Sequence, residues 1–134
     1  MPPKMWIKNP KELHTAFKKL DKLSQASTLK AAVNAGLLPI QNEAIEKAPH
    51  KSGNLRRSIH PEIIESRDDY CEGATGTNVI YAARVEFGYN DTDALGRTYH
   101  QPAQPYLRPA YDNKREEALQ EMRDSLHDVL MSLI

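Results

Sequence analysis

The sequence predicts an α+β fold: a small antiparallel sheet packed against a long N-terminal helix, kinked at Pro39, and a long C-terminal helix. Three observations lead there. Apolar residues recur with a helical period on both flanks of the chain, first at Leu29, Val33, Leu37, Ile40, Ala44 and Ile45, then at Tyr111, Ala118, Met122, Leu126, Val129, Leu130 and Leu133. Between the flanks lie short strand-like segments broken at close intervals by Gly, Asn and Asp. Two stiff stretches, Ala48–Ile59 and Pro102–Ala110, separate the helical parts from the middle. With 134 residues, 40% apolar and 27% charged, the chain suits one globular domain with a modest core.

The domain reading covers residues 1–134. Residues 1–8 form a lead, in which Trp6 and Ile7 can fold back or contact a neighbour. A helical part spans 9–47. Asn9 caps a first helix, Pro10 takes its first position and Glu12 completes an Asn-x-x-Glu box. Leu13, Phe17 and Leu20 share its apolar face, and Lys11, Lys18, Lys19 and Lys22 make the rest basic. Ser24 to Thr28 reads as a turn. A second helix then runs from about Thr28 to Lys47, with Ala32 and Gly36 beside its stripe allowing close approach by another element. Pro39 lacks an N–H and should kink that helix or split it.

A sheet part spans 55–101. Ser58–Ser66 reads as a strand, with Pro61 pushing it to an edge or a bulge. Asp68 and Asp69 make a turn, Tyr70–Thr75 a second strand, and Val79–Tyr81 a third, in a meander. Tyr81 to Gly88 suits a short helix closed by Gly88. Residues 89–97 read as a mobile surface loop, and Arg97–Gln101 as a further strand. Tyr106 and Leu107 should enter the core, and Pro109 can open a helix over 109–132. Glu116, Glu117, Glu121, Asp124 and Asp128 form its acidic side.

The stretch A-P-H-K-S-G-N-L-R-R-S-I, from Ala48 to Ile59, is the pivot. Pro49 stops the second helix, Gly53 supplies a turn, and Leu55 and Ile59 anchor the sheet part in the core. The loop between presents His50, Lys51, Arg56 and Arg57. A loop on a rigid scaffold positions groups for a partner.

Formal net charge is zero, which argues against a protein that coats nucleic acid. The distribution is uneven. Residues 1–51 hold 9 Lys against 4 Asp/Glu, net +5; residues 52–134 hold 9 Arg/Lys against 14 Asp/Glu, net −5. Opposite patches could suit head-to-tail stacking of copies; two ordinary solvated faces would look the same. The single cysteine, Cys71, allows no intrachain disulfide, so a reducing compartment is acceptable. No apolar run reaches the length of a membrane span, and the N-terminus lacks a signal-peptide core, so a cytosolic site of synthesis is expected.

Chemistry-bearing patterns are scarce. His14, His50, His60, His100 and His127 form no H-E-x-x-H or H-x-H, and Cys71 has no C-x-x-C partner, so no metal site is expected. G-x-S-x-G, the P-loop and G-x-G-x-x-G do not occur. Cys71 with Asp68 and His60 could be drawn as a nucleophile group, but a structural cysteine fits its mid-strand place better. Glu86 is expected to pair with an arginine such as Arg56 or Arg108. The alternative function is a small nucleic-acid-binding module, using the basic loop 51–57 and the Lys-rich first helix; the recognition helix or stacking aromatics it would need are not evident.

Three segments together resemble a known pattern. Ala48–Ile59 resembles the A-P-x-x-[ST]-G-x-L-[RK]-x-S-I segment of the tail-component family of tailed phages. Y-A-A-R-V-E-F-G (Tyr81–Gly88) resembles its Y-A-x-x-V-E-[FY]-G segment, and Q-P-A-Q-P-Y-L-R-P-A (Gln101–Ala110) its x-x-A-x-P-[FY]-L-R-P-A segment. That family includes tail-completion and neck proteins of long-tailed phages and prophages, similar in role to the minor tail protein Z of phage lambda. The resemblance implies no catalysis and no cofactor. It implies virion assembly at the head-proximal end of the tail, in the host bacterial cytoplasm and then the particle. Its implied partners are copies of itself in a ring within the particle, with the free subunit able to be a monomer, and other tail or head-connector proteins, not membrane or nucleic acid. Pro49, Gly53, Leu55, Tyr81, Glu86, Gly88, Pro105, Leu107 and Pro109 carry the motifs and are expected to hold the fold. Lys51, Arg56, Arg57, Asp91, Asp93 and Arg97 are the expected partner contacts. Tyr89 stands where the family usually has Thr, and the loop after it is longer than in many members.

Overall fold

Two long helices organise the chain. A computed structural model describes residues 10–49 and 53–132, with side chains from His14. The lead with Trp6 and Ile7, Asn9, the side chains of Glu12 and Leu13, His50, Lys51 and Leu133 lie outside the described residues. The elements are α1 (Pro10–Lys18), α2 (Lys22–Lys47), α3 (Asn54–Ser58), β1 (His60–Ser66), β2 (Cys71–Gly76), α4 (Ala82–Phe87), β3 (Tyr89–Thr92), β4 (Thr98–Gln101) and α5 (Leu107–Met131). The fold class is α+β, with two small antiparallel sheets and the two long helices α2 and α5.

α2 starts earlier than the sequence suggests. The stretch 24–28, expected as a turn, is helical. Asp21 is the reason: its carboxylate accepts from the Ser24 N–H at 2.7 Å, satisfying an otherwise orphaned donor of the first turn. Gln25 then bridges back, donating to the carbonyls of Phe17 and Leu20 at 3.2 Å each, and so locks the corner between α1 and α2. The helix continues through Pro39 to Lys47 without splitting.

α2 and α5 run antiparallel. Lys114 near the start of α5 reaches Glu43 near the end of α2 at 3.7 Å, while Gly36 faces Ala118 and Met122. The approach at Gly36 is close: an added Cβ would lie 2.6 Å from Met122 Cγ and 3.1 Å from the Ala118 carbonyl oxygen. The small residues beside the α2 stripe are therefore buried, at Ala32 and Gly36, as much as the stripe itself. On α5, Ala118 and Leu130 are buried, but Tyr111, expected in the stripe, is exposed.

The expected single meander is two separate two-stranded sheets. β1 pairs with β2 in register His60↔Gly76 to Ser66↔Cys71, with a bulge between Ile63 and Glu65. β3 pairs with β4, Tyr89↔Gln101 to Thr92↔Thr98. Residues 79–81, expected as a third strand, are a turn leading into α4. The Thr77 hydroxyl accepts from the Val79 N–H at 3.1 Å and the Val79 carbonyl accepts from Ala82 at 3.1 Å, which curls the chain away from β2. Residues 89–97, expected as a loop, form β3 and the turn of the second hairpin. The pivot is also more regular than a loop, because 54–58 is the single-turn helix α3.

The core lies where α2 ends and α5 begins. Ala44, Ala48, Leu55, Ile59, Ala82, Tyr106 and Ala110 are buried together, with Ile40, Val85 and Leu107 packed around them. Tyr106 is 0% exposed, and it is the largest fully buried side chain among the described residues.

Candidate functional site

All three motif segments converge on this core. The first gives Ala48, Leu55 and Ile59, the second Ala82 and Val85, and the third Tyr106, Leu107 and Ala110. Gly53 precedes α3 at φ 79°, a left-handed conformation that glycine adopts without steric cost. Arg56 then turns back: its Nε donates to the Ala48 carbonyl at 2.9 Å and its Nη2 to the Glu46 carbonyl at 3.5 Å. The guanidinium so meets carbonyls that the end of α2 leaves without helical partners. Arg57 is exposed and donates to the Asn54 side chain at 2.7 Å.

Glu86 is the centre of the arrangement. It is buried, yet neither expected guanidinium meets it. Its carboxylate instead takes the main-chain N–H groups that begin α5. Oε2 accepts from Tyr106 at 2.7 Å and Leu107 at 3.1 Å, and Oε1 accepts from Arg108 at 3.0 Å. The next residue, Pro109, has no N–H to satisfy. One side chain twenty residues upstream therefore serves the donor set of the helix start, where the helix dipole also favours negative charge. Two features of the sequence bear on this pairing: a lone acid inside one motif, and a helix start with no Ser, Thr, Asp or Asn to cap it.

Gly88 closes the same joint. Its φ is +72°, and an added Cβ would stand 2.7 Å from both the Ala103 nitrogen and the Gln101 oxygen. The Gln104 N–H donates to the Val85 carbonyl at 2.8 Å, tying the third segment to the end of α4. Pro105 is exposed on this strap. The Tyr106 hydroxyl is enclosed without a hydrogen-bond partner among the described residues. Burial, then the Glu86 charge, then Tyr81, push its pKa up to about 12.

A shallow cleft of about 220 Å3 opens beside the joint. Pro49, Gly53 and Leu55 form one wall, and Tyr81, Arg84 and Val85 the other. The Arg84 guanidinium lies over the Tyr89 ring, 4.8 Å from its centroid. Among the described residues, no carboxylate or imidazole lines this cleft. His60 and Cys71 sit at opposite ends of the first hairpin, so they form no nucleophile and base pair. Among the described residues no group of three His, Cys, Asp or Glu side chains could hold a metal ion, and no helix is long and apolar enough to cross a membrane.

The other expected contacts lie on the second hairpin. Asp93 organises its turn: Oδ1 accepts from the Leu95 and Arg97 N–H groups at 2.9 Å, and Oδ2 from Arg97 Nε at 2.6 Å and the Tyr99 hydroxyl at 3.0 Å. Asp91 is exposed, and its carboxylate accepts from the Thr92 N–H at 2.8 Å. The structure thus brings Arg56 and Arg57 together at the pivot and Asp91, Asp93 and Arg97 together on the hairpin.

A family model described as "Bacteriophage HK97-gp10, putative tail-component" matches residues 11–88. The chain belongs to this phage tail-component family. The match takes in the pivot and the α4 segment with Glu86 and Gly88, and stops before the strap that Glu86 holds. Membership gives this tail component a role in virion morphogenesis and a place in the virion. No curated protein and no solved structure matches the chain.

Proposed function

We propose that this tail component completes the tail or joins it to the head, as a non-enzymatic subunit of an oligomeric ring. One observation carries the reading. The three motif segments meet in a joint whose charged groups are engaged in holding helices, Arg56 on the carbonyls that end α2 and Glu86 on the main-chain donors that begin α5. Such a joint braces a scaffold and leaves the outer faces to do the work through contacts with other virion proteins and further copies. The nucleic-acid alternative gains little support. Its two basic features flank α2 at opposite ends, and 26 helical residues separate them by about 39 Å.

Deleting the gene from its parent phage tests the proposal. Filled heads and unjoined or unfinished tails should accumulate, and the supplied protein should restore infectious particles. Normal particle yield without the gene would overturn the reading.

A further inference from the structure

The sequence halves, +5 and −5, are not the charged ends of the folded molecule. α1 and α2 carry lysines alongside the acidic face of α5. A different polarity emerges around the first hairpin. At its base sit α3, α4 and the start of α5, which expose Arg57, Arg84 and Arg108 beside the inward-turned Arg56. The hairpin itself carries Glu62, Glu65, Asp68, Asp69 and Glu72 against a single Arg67. Arg67 is engaged there, 3.2 Å from Glu65 and over the Tyr70 ring. The hairpin therefore bears a net charge of −4 before histidine is counted.

The hairpin points away from its base. Ile59, just before β1, accepts from Gln41 on α2; Thr75 reaches the Leu37 carbonyl; Gly73 lies against Val33 and Leu37. Each step towards the tip moves back along α2. Seven strand residues extend it by about 23 Å. The acidic tip and the arginine-bearing base thus lie at opposite ends of the hairpin.

Both poles also expose apolar side chains. Arg84 and Phe87 share a face of α4, with Phe87 78% exposed, and Ile80 just before the helix is 100% exposed. On the hairpin, Ile64 is 60% and Tyr70 40% exposed. Exposed apolar groups ringed by one sign of charge suit a protein interface.

We infer that the α4 face, with Ile80, Arg84 and Phe87, receives the acidic tip of the β1–β2 hairpin of a second copy of this chain. This assigns the surfaces of the self-contact in the ring proposed above, and it rests on that reading. Tip-to-base contact is heterologous: each copy keeps one free tip and one free base, so the array grows until it closes. Matching base to base or tip to tip would oppose like charges.

Charge exchange tests the assignment. Self-association of the full chain is followed by analytical ultracentrifugation at low and high salt. The wild type should form assemblies larger than a dimer, weakened by salt. Asp68→Lys with Asp69→Lys, or Arg57→Glu with Arg84→Glu, should each weaken association at least about tenfold. The chain carrying all four changes should recover it, and a mixture of the two half-reversed chains should co-assemble. Phe87→Ser should weaken association with the charges intact. Circular dichroism checks that each variant is folded. Assemblies indifferent to every one of these changes, or a species that stops at a dimer, would overturn the tip-to-base assignment while leaving self-association in place. A wild type that stays monomeric, both free and in purified particles, would overturn the ring reading and this inference together.

Discussion

Glu86 shows how much one side chain can hold. Three main-chain donors meet its carboxylate in a buried site, and hydrogen bonds to a charged group are among the stronger ones. Glu86→Ala should leave those donors unpaired and cost about 3 kcal/mol in urea unfolding. Glu86→Gln, with one acceptor oxygen in place of two, should fall between. An equal loss for both variants would mean that shape, not the carboxylate, matters. Gly88 is governed by sterics instead. Gly88→Ala places a Cβ against two main-chain atoms, at a φ that alanine resists, so a loss of about 2–4 kcal/mol is expected. The motif made both residues visible. It did not say what they touch, because their partners lie thirteen to twenty-two residues further on.

Elements explain where the sequence reading went astray. The long helices were legible from period alone, since many positions vote together. The start of α2 was misplaced because Ser, Gln and Thr suggest a turn, while Asp21 and the packed Gln25 decide for helix. The third strand failed for want of a neighbour, and a strand without a partner cannot satisfy its main chain. The second hairpin was hidden by its polarity, because Asp93, not an apolar face, sets its turn. That hairpin should be acid-sensitive. The main-chain N–H of Arg97, foremost among the donors, holds the Asp93 carboxyl below its ordinary 3.8. A depressed folded value gives stability that is present above pH 3.8 and lost as pH falls below it. Amide exchange at Leu95 and Arg97 should accelerate there, and in Asp93→Ala at every pH. Exchange unchanged by that substitution would remove Asp93 from this role.

At the scale of the whole molecule, Tyr106 makes the shared core sensitive to base. Its hydroxyl ionises at about 12 in the fold against 10.0 when solvated. The neutral form is favoured by folding, so its contribution is complete below pH 10 and is lost as pH climbs from 10 towards 12. Tyr106→Phe removes an enclosed, unpartnered hydroxyl and should keep or raise stability at pH 7 while flattening the fall in melting temperature above pH 10. A melting profile parallel to the wild type across that range would contradict this account.

Local order along the chain was enough for the α+β class, the two long helices, the first hairpin and the two segments, Ala48–Ile59 and Tyr81–Gly88, that lie within the match to the phage tail-component family. These depend on neighbours a few residues apart, where period, proline and glycine act directly. Folding in three dimensions was needed to show that Glu86 caps a distant helix, that the strands divide into two sheets, and that charge is polarised along a hairpin rather than between sequence halves. Those features arise from groups far apart in the chain and close in space, and periodicity cannot report on such meetings.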